Sequence, residues 1–62
     1  MSTLYYYLIN KIKDVKIRIE TLENRLEKTF KKSEYDKIYT QLTMYKMFLD
    51  ELYEISSLLE EG

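Results

Sequence analysis

The chain contains no cysteine, histidine, proline or tryptophan, and its single glycine is the last of its 62 residues. Without cysteine and histidine it cannot form a disulfide, and it lacks the usual ligands of a structural zinc ion. It also lacks an imidazole base for neutral pH, a thiol nucleophile and a glycine-rich loop for phosphate. We therefore expect no catalytic residue, no metal, no cofactor and no enzymatic activity.

Helix-breaking residues are absent from positions 1–61, so only the polar stretch from Lys31 to Ser33 interrupts the apolar pattern. Ser33 followed by Asp36 resembles the capping box that starts a helix, with Asp in place of the usual Glu or Gln. The pattern predicts a single all-α domain, 1–62. We expect an antiparallel helical hairpin with helices at about 3–31 and 34–60.

Two seven-residue repeats of apolar side chains support this hairpin, one on each side of the turn. The apolar residues occupy heptad positions a and d, starting from Tyr5 and Tyr35 at position a. Residues whose numbers add up to 64 face each other when the chain folds back, so Leu22 meets Leu42. Because an unsatisfied buried hydroxyl is costly, we expect the Tyr45 hydroxyl either to tilt to the edge of the bundle or to bond a polar partner. The complete seam is Tyr5, Leu8, Ile12, Val15, Ile19, Leu22, Leu26, Tyr35, Ile38, Leu42, Tyr45, Leu49, Leu52 and Leu59.

Apolar residues beside the seam predict a homodimer. Seven of them lie at the flanking e and g positions, and a stripe this wide exceeds what one opposing helix can cover. A chain of this length also buries only about 60% of its unfolded surface, so a second copy would supply the missing core. We expect a dimeric four-helix bundle with coiled-coil packing. Its contact residues would be Ile9, Tyr39, Phe48, Tyr53 and Ile55, and the other two flanking residues are Leu4 and Phe30.

Six further apolar residues lie at the outer b, c and f positions of the heptads. Single apolar residues on a surface are normal, but clustered methionine and tyrosine side chains favour a docking surface. We therefore expect a dimeric adaptor whose protein–protein interactions join macromolecular partners. The predicted partner-binding residues are Tyr6, Tyr7, Ile17, Met44, Met47 and Leu58.

The charges are divided unevenly along the chain. Residues 1–32 carry eight Lys or Arg and four acids, whereas residues 33–62 carry two Lys and seven acids. Opposite charges on the two arms favour the hairpin, and a total of -1 is unlike the basic total of most nucleic-acid-binding domains. The alternative function is a Rop-like regulator that binds RNA or DNA, by architectural similarity to that plasmid-encoded two-helix dimer. Its nucleic-acid contacts would be Lys13, Lys16, Lys28 and Lys31.

The longest apolar run, from Leu4 to Ile9, has six residues, whereas a membrane-spanning helix needs about 20. No basic segment precedes it, as a secretory signal would require. We therefore expect a cytoplasmic protein without membrane contact. A composition rich in Lys, Glu, Ile and Tyr and poor in amides is typical of a thermophilic protein.

The opening sequence MSTLYYYLIN, the chain length and the uninterrupted hairpin pattern resemble one family of viral proteins. These are the small D-series helical-hairpin proteins of the Sulfolobus spindle-shaped viruses, the fuselloviruses. The resemblance covers the whole chain and implies a viral protein in the cytoplasm of a hot-adapted archaeal host. It also implies a dimeric bundle that acts as an adaptor, and it carries over no functional residue.

Overall fold

The computed structural model describes residues 3–61, which form two long helices, α1 (Thr3–Glu27) and α2 (Lys32–Glu61). Hydrogen bonds join Tyr5 to Glu60 and Arg18 to Tyr45, so the helices run antiparallel. The resulting hairpin measures 47 × 14 × 12 Å. The prediction of an all-α helical hairpin is confirmed.

The core lies along the seam between the two helices. Its buried residues recur every three or four positions, because that spacing keeps them on one face of each helix. Apart from Ser56, which is polar, the buried residues all belong to the predicted seam: Leu8, Ile12, Val15, Ile19, Leu22, Ile38, Leu42 and Leu52. Four other seam residues are partly buried against them: Leu26, Tyr45, Leu49 and Leu59. Each fully buried side chain of this kind stabilises the fold by roughly 1.5 to 3 kcal/mol.

Helix α1 ends at Glu27, four residues before the predicted end. The backbone N–H groups of Lys28 and Thr29 donate to the carbonyls of Arg25 and Leu26, at 3.1 and 3.3 Å. These bonds reach back three residues instead of four, which tightens and closes the last helical turn. The hydroxyl of Thr29 also donates to the Arg25 carbonyl at 2.7 Å.

Helix α2 begins earlier than predicted, at Lys32. The N–H of Tyr35 donates to the carbonyl of Lys31 at 2.9 Å, so Lys31 is the residue that precedes the helix. Ser33 lies within the first turn, and the predicted cap at Ser33 is therefore wrong. Phe30 lies in the turn that connects α1 to α2, and its side chain is fully exposed. Its predicted place beside the seam is therefore also wrong.

The early end of α1 also explains the one seam residue that is exposed. Tyr35 was expected to face Thr29, but that residue is outside α1, and the Tyr35 ring lies open to solvent. The ring stacks instead on Tyr39, with the centroids 6.2 Å apart and the planes 12° apart. The described turn reverses the chain without any residue of positive φ, so it needs no glycine.

Within residues 3–61, neither helix combines the length and apolar character that are needed to cross a bilayer.

Candidate interaction surfaces

The hairpin has two long sides, because the e and g positions flank the a and d seam in opposite directions. On one side an ion pair joins Glu23 to Lys46 across the helices, and both residues are at position e. We call this the Tyr53 side, formed by the e and b positions of both helices. The opposite side, formed by the g and c positions, is called the Phe48 side.

A groove of about 660 Å³ opens in the middle of the Phe48 side. On its wall, the guanidinium of Arg18 donates a hydrogen bond to the Tyr45 hydroxyl at 3.4 Å. The expectation that the Tyr45 hydroxyl reaches either the edge or a polar partner is confirmed. The groove is mainly apolar, and its lining residues are Ile17, Arg18, Thr21, Leu22, Gln41, Met44, Tyr45 and Phe48.

A second groove, of about 530 Å³, lies near the turn and has a different character. Three cations line it, Arg25, Lys28 and Lys37, together with one acid, Glu34. This end of the Phe48 side is therefore polar and basic, in contrast to the apolar groove beside it.

The Tyr53 side is held together by polar contacts between the helices. The Lys16 ammonium lies 5.4 Å from the centroid of the Tyr53 ring, within the range of a cation–π interaction. Both residues line a groove of about 380 Å³ with Ile9 and Glu60. At the open end of the hairpin, which is the end opposite the turn, the Tyr5 hydroxyl donates to Glu60 Oε1 at 3.3 Å. This bond and the negative charge of Glu60 raise the pKa of Tyr5 above its ordinary value of 10.0.

The five residues expected at the dimer contact do not lie on one side of the hairpin. Phe48 and Ile55 are at g positions on the Phe48 side. Ile9, Tyr39 and Tyr53 are at e positions on the Tyr53 side, and two of them line the groove there. The prediction grouped e and g positions together because both flank the seam, but in an antiparallel hairpin they lie on opposite sides of it.

All six residues of the predicted partner-binding surface are exposed. Tyr7, Met44 and Leu58 are at c positions, and Ile17 lines the same groove as Met44, so four of the six belong with the Phe48 side. The other two do not, because Tyr6 is at position b of the Tyr53 side and Met47 is at position f. The sequence reasoning missed that exposed Leu4, at position g, lies on the same side as Tyr7 and Leu58.

The four lysines proposed for nucleic-acid contact are not gathered on one face. Lys13 and Lys16 line the groove on the Tyr53 side, and Lys16 lies against the Tyr53 ring. Lys28 lines the groove near the turn on the Phe48 side. Lys31 lies in the turn itself, just before α2.

Among the described residues, no group of three acidic, histidine or cysteine side chains is placed to hold a metal ion. Comparisons of the chain with protein-family models, with curated proteins and with solved structures found no match.

Proposed function

We propose that this chain is a non-enzymatic adaptor that works as a homodimer, a four-helix bundle of two hairpins, and joins protein partners. The proposal includes a viral origin and a cytoplasmic site of action in an archaeal host. The dimer and the adaptor rest on the amount of surface, including many large apolar side chains, that a single hairpin leaves exposed. The viral origin and the site of action rest on the resemblance of the opening sequence MSTLYYYLIN and the hairpin pattern.

The exposed surface of the hairpin is large for its mass. Its accessible area is 5256 Å² at 7.6 kDa, whereas a compact monomer of this mass exposes about 4,300 Å². The excess of about 1,000 Å² is comparable to the about 800 Å² that each partner buries in a standard interface. The radius of gyration, 14.5 Å, is likewise above the about 11 Å of a compact chain of 62 residues.

The chemistry of the exposed residues favours proteins as partners. Large apolar side chains are exposed along both helices, and several are tyrosine or methionine, which are enriched at protein interfaces. Phosphate binding instead requires concentrated positive charge. The four candidate lysines are spread over both sides and the turn, so the Rop-like alternative receives less support.

Light scattering tests the dimer directly. At micromolar concentration the native chain should have twice the 7.6 kDa mass of one copy. A monomer mass would overturn the dimeric part of the proposal.

Affinity capture from host lysate, with and without nuclease, tests the adaptor. Captured proteins should survive nuclease, and Tyr6→Ser combined with Met47→Ser should reduce their recovery while the mass and helix content stay native. Asn10→Ser combined with Asn24→Ser is the matched control, since it changes exposed polar positions. Loss of all captured material on nuclease treatment would support the Rop-like alternative instead.

A further inference from the structure

The two sides of the hairpin differ in the amount and kind of apolar surface. The g and c positions of the Phe48 side expose Leu4, Tyr7, Met44, Phe48, Ile55 and Leu58. The e and b positions of the Tyr53 side expose mainly tyrosine rings, whose hydroxyls suit contact with water. A second copy would therefore remove more purely apolar surface from water on the Phe48 side.

The charges also favour the Phe48 side as the dimer contact. On the Tyr53 side each helix carries three acids and two cations, so a second copy there would set acid-rich helices against acid-rich helices. On the Phe48 side, α1 carries three cations and one acid, whereas α2 carries two acids and one cation. These residues are Lys11, Arg18, Arg25 and Asp14 in α1, and Glu34, Glu51 and Lys37 in α2. Opposite net charges favour α1 of one copy beside α2 of the other.

Resting on the dimer proposed above, we propose that the second copy packs on the Phe48 side, with the two-fold axis parallel to the helices. This axis places α1 of one copy on α2 of its partner and brings the two open ends together. The apolar surface around Ile55 at the open end of one copy then meets the same surface of its partner, and Lys11 lies about level with Glu51 of the partner subunit.

An axis across the helices gives a poorer match. It would place α1 on α1, with Lys11, Arg18 and Arg25 of each copy facing the same basic set. It would also turn the apolar open end toward the basic groove near the turn, which Lys28 and Lys37 line. Like charges across an interface are unfavourable. Covering cations with apolar surface is also unfavourable, because it removes water from the charges without supplying a partner.

A contact of standard size should extend along much of the Phe48 side. The hairpin is 47 Å long and only 14 × 12 Å across, and a standard interface buries about 800 Å² of accessible surface per partner. We therefore expect both apolar regions, in the middle and at the open end, to contribute. Of the five residues predicted at the contact, Phe48 and Ile55 remain, while Ile9, Tyr39 and Tyr53 lie outside it. Tyr7, Met44 and Leu58, which were predicted to bind a partner protein, would lie in the dimer contact, whereas Tyr6 and Met47 would stay outside it.

Two matched variants test which side is used. Ile55 is 44% exposed and Tyr53 is 43% exposed in one hairpin, and they lie on opposite sides of the same helix. Ile55→Glu should raise the dimer dissociation constant by at least about 30-fold, whereas Tyr53→Glu should leave it within about 3-fold. Light scattering over a dilution series measures both, and circular dichroism checks that helix content is retained. Dissociation by Tyr53→Glu alone would overturn the choice of side while leaving the dimer itself standing.

Spin labels at the two ends of the hairpin test the direction of the axis. Because the native chain has no cysteine, Thr3→Cys and Lys32→Cys each provide a single labelling site. An axis parallel to the helices should give label separations below about 30 Å at both sites. Separations above about 40 Å at both sites would overturn the proposed axis, since a rise of 1.5 Å per residue then places the copies at opposite ends. A native chain with the mass of a monomer would instead refute the proposed dimer.

Discussion

The guanidinium of Arg18 and the hydroxyl of Tyr45 join the two helices at the middle of the hairpin, 3.4 Å apart. Tyr45 is partly buried against the apolar core, and Arg18 reaches its hydroxyl from the adjoining g position. The bond places the polar end of the ring at the edge of the Phe48 side, where solvent and the groove meet.

This bond should contribute little to stability. Tyr45→Phe keeps the ring in the seam and removes only the hydroxyl, so the free energy of unfolding should fall by less than about 1 kcal/mol. Urea unfolding of Tyr45→Phe, Arg18→Gln and the double variant measures the coupling between the two groups. A coupling of several kcal/mol would mean that the pair is much more deeply desolvated than its position indicates.

Leu42 and Met47 are both apolar, but they should differ in their contribution to stability because only Leu42 is buried. Leu42 is 5% exposed in the core, whereas Met47 is 62% exposed at position f. Leu42→Ala should lower the free energy of unfolding by about 2 to 5 kcal/mol, because it removes buried surface and leaves a cavity. Met47→Ala should change it by less than about 0.5 kcal/mol. Both values come from urea unfolding at one protein concentration, and equal losses would contradict the core described above.

Phe30 in the turn should be unimportant for stability, whereas the sequence predicted that it lies beside the seam. Phe30 is 100% exposed, so Phe30→Ser should change the free energy of unfolding by less than about 0.5 kcal/mol. The mass measured by light scattering should also stay the same, since the ring lies beyond the end of α1. If this variant dissociated or strongly destabilised the protein, Phe30 would have to be covered in the assembled state.

The bond between Tyr5 and Glu60 should make the open end sensitive to alkaline pH. The folded chain raises the pKa of Tyr5 above 10.0, so the stabilisation is complete below pH 10 and is lost as pH rises through the folded value. The stability difference between the native chain and Tyr5→Phe should therefore be constant from neutral pH to pH 9 and shrink above pH 10. Tyr7→Phe is the control, because it removes a tyrosine hydroxyl at the same end of the hairpin, and that hydroxyl takes no part in the bond between Tyr5 and Glu60. A difference that grew with pH would contradict the direction of the shift.

The seam was predictable because its physical cause is repeated along the chain. Leu8, Ile12 and Val15 are spaced so that a helix must gather them on one face, and the same spacing recurs in α2. The turn was less predictable. Its limits depend on which backbone carbonyls accept bonds from Thr29 and Tyr35, and residue types alone do not determine that choice.

The division of the surface into two sides was only partly predictable. Heptad letters place Phe48 at g and Tyr53 at e, on opposite sides of the seam, but they do not show which residues line a common groove. The contacts of Lys16 with the Tyr53 ring and of Arg18 with the Tyr45 hydroxyl supply that information, because each joins the two helices from a different side.

The antiparallel hairpin also implies an order of folding. Contacts between the helices join residues 23 apart at Glu23 and Lys46, 27 apart at Arg18 and Tyr45, and 55 apart at Tyr5 and Glu60. Because the entropy lost on closing a loop grows with its length, pairing should start near the turn and proceed toward the chain ends. The open end, with the bond between Tyr5 and Glu60, is then the last part of each hairpin to form and the first to separate.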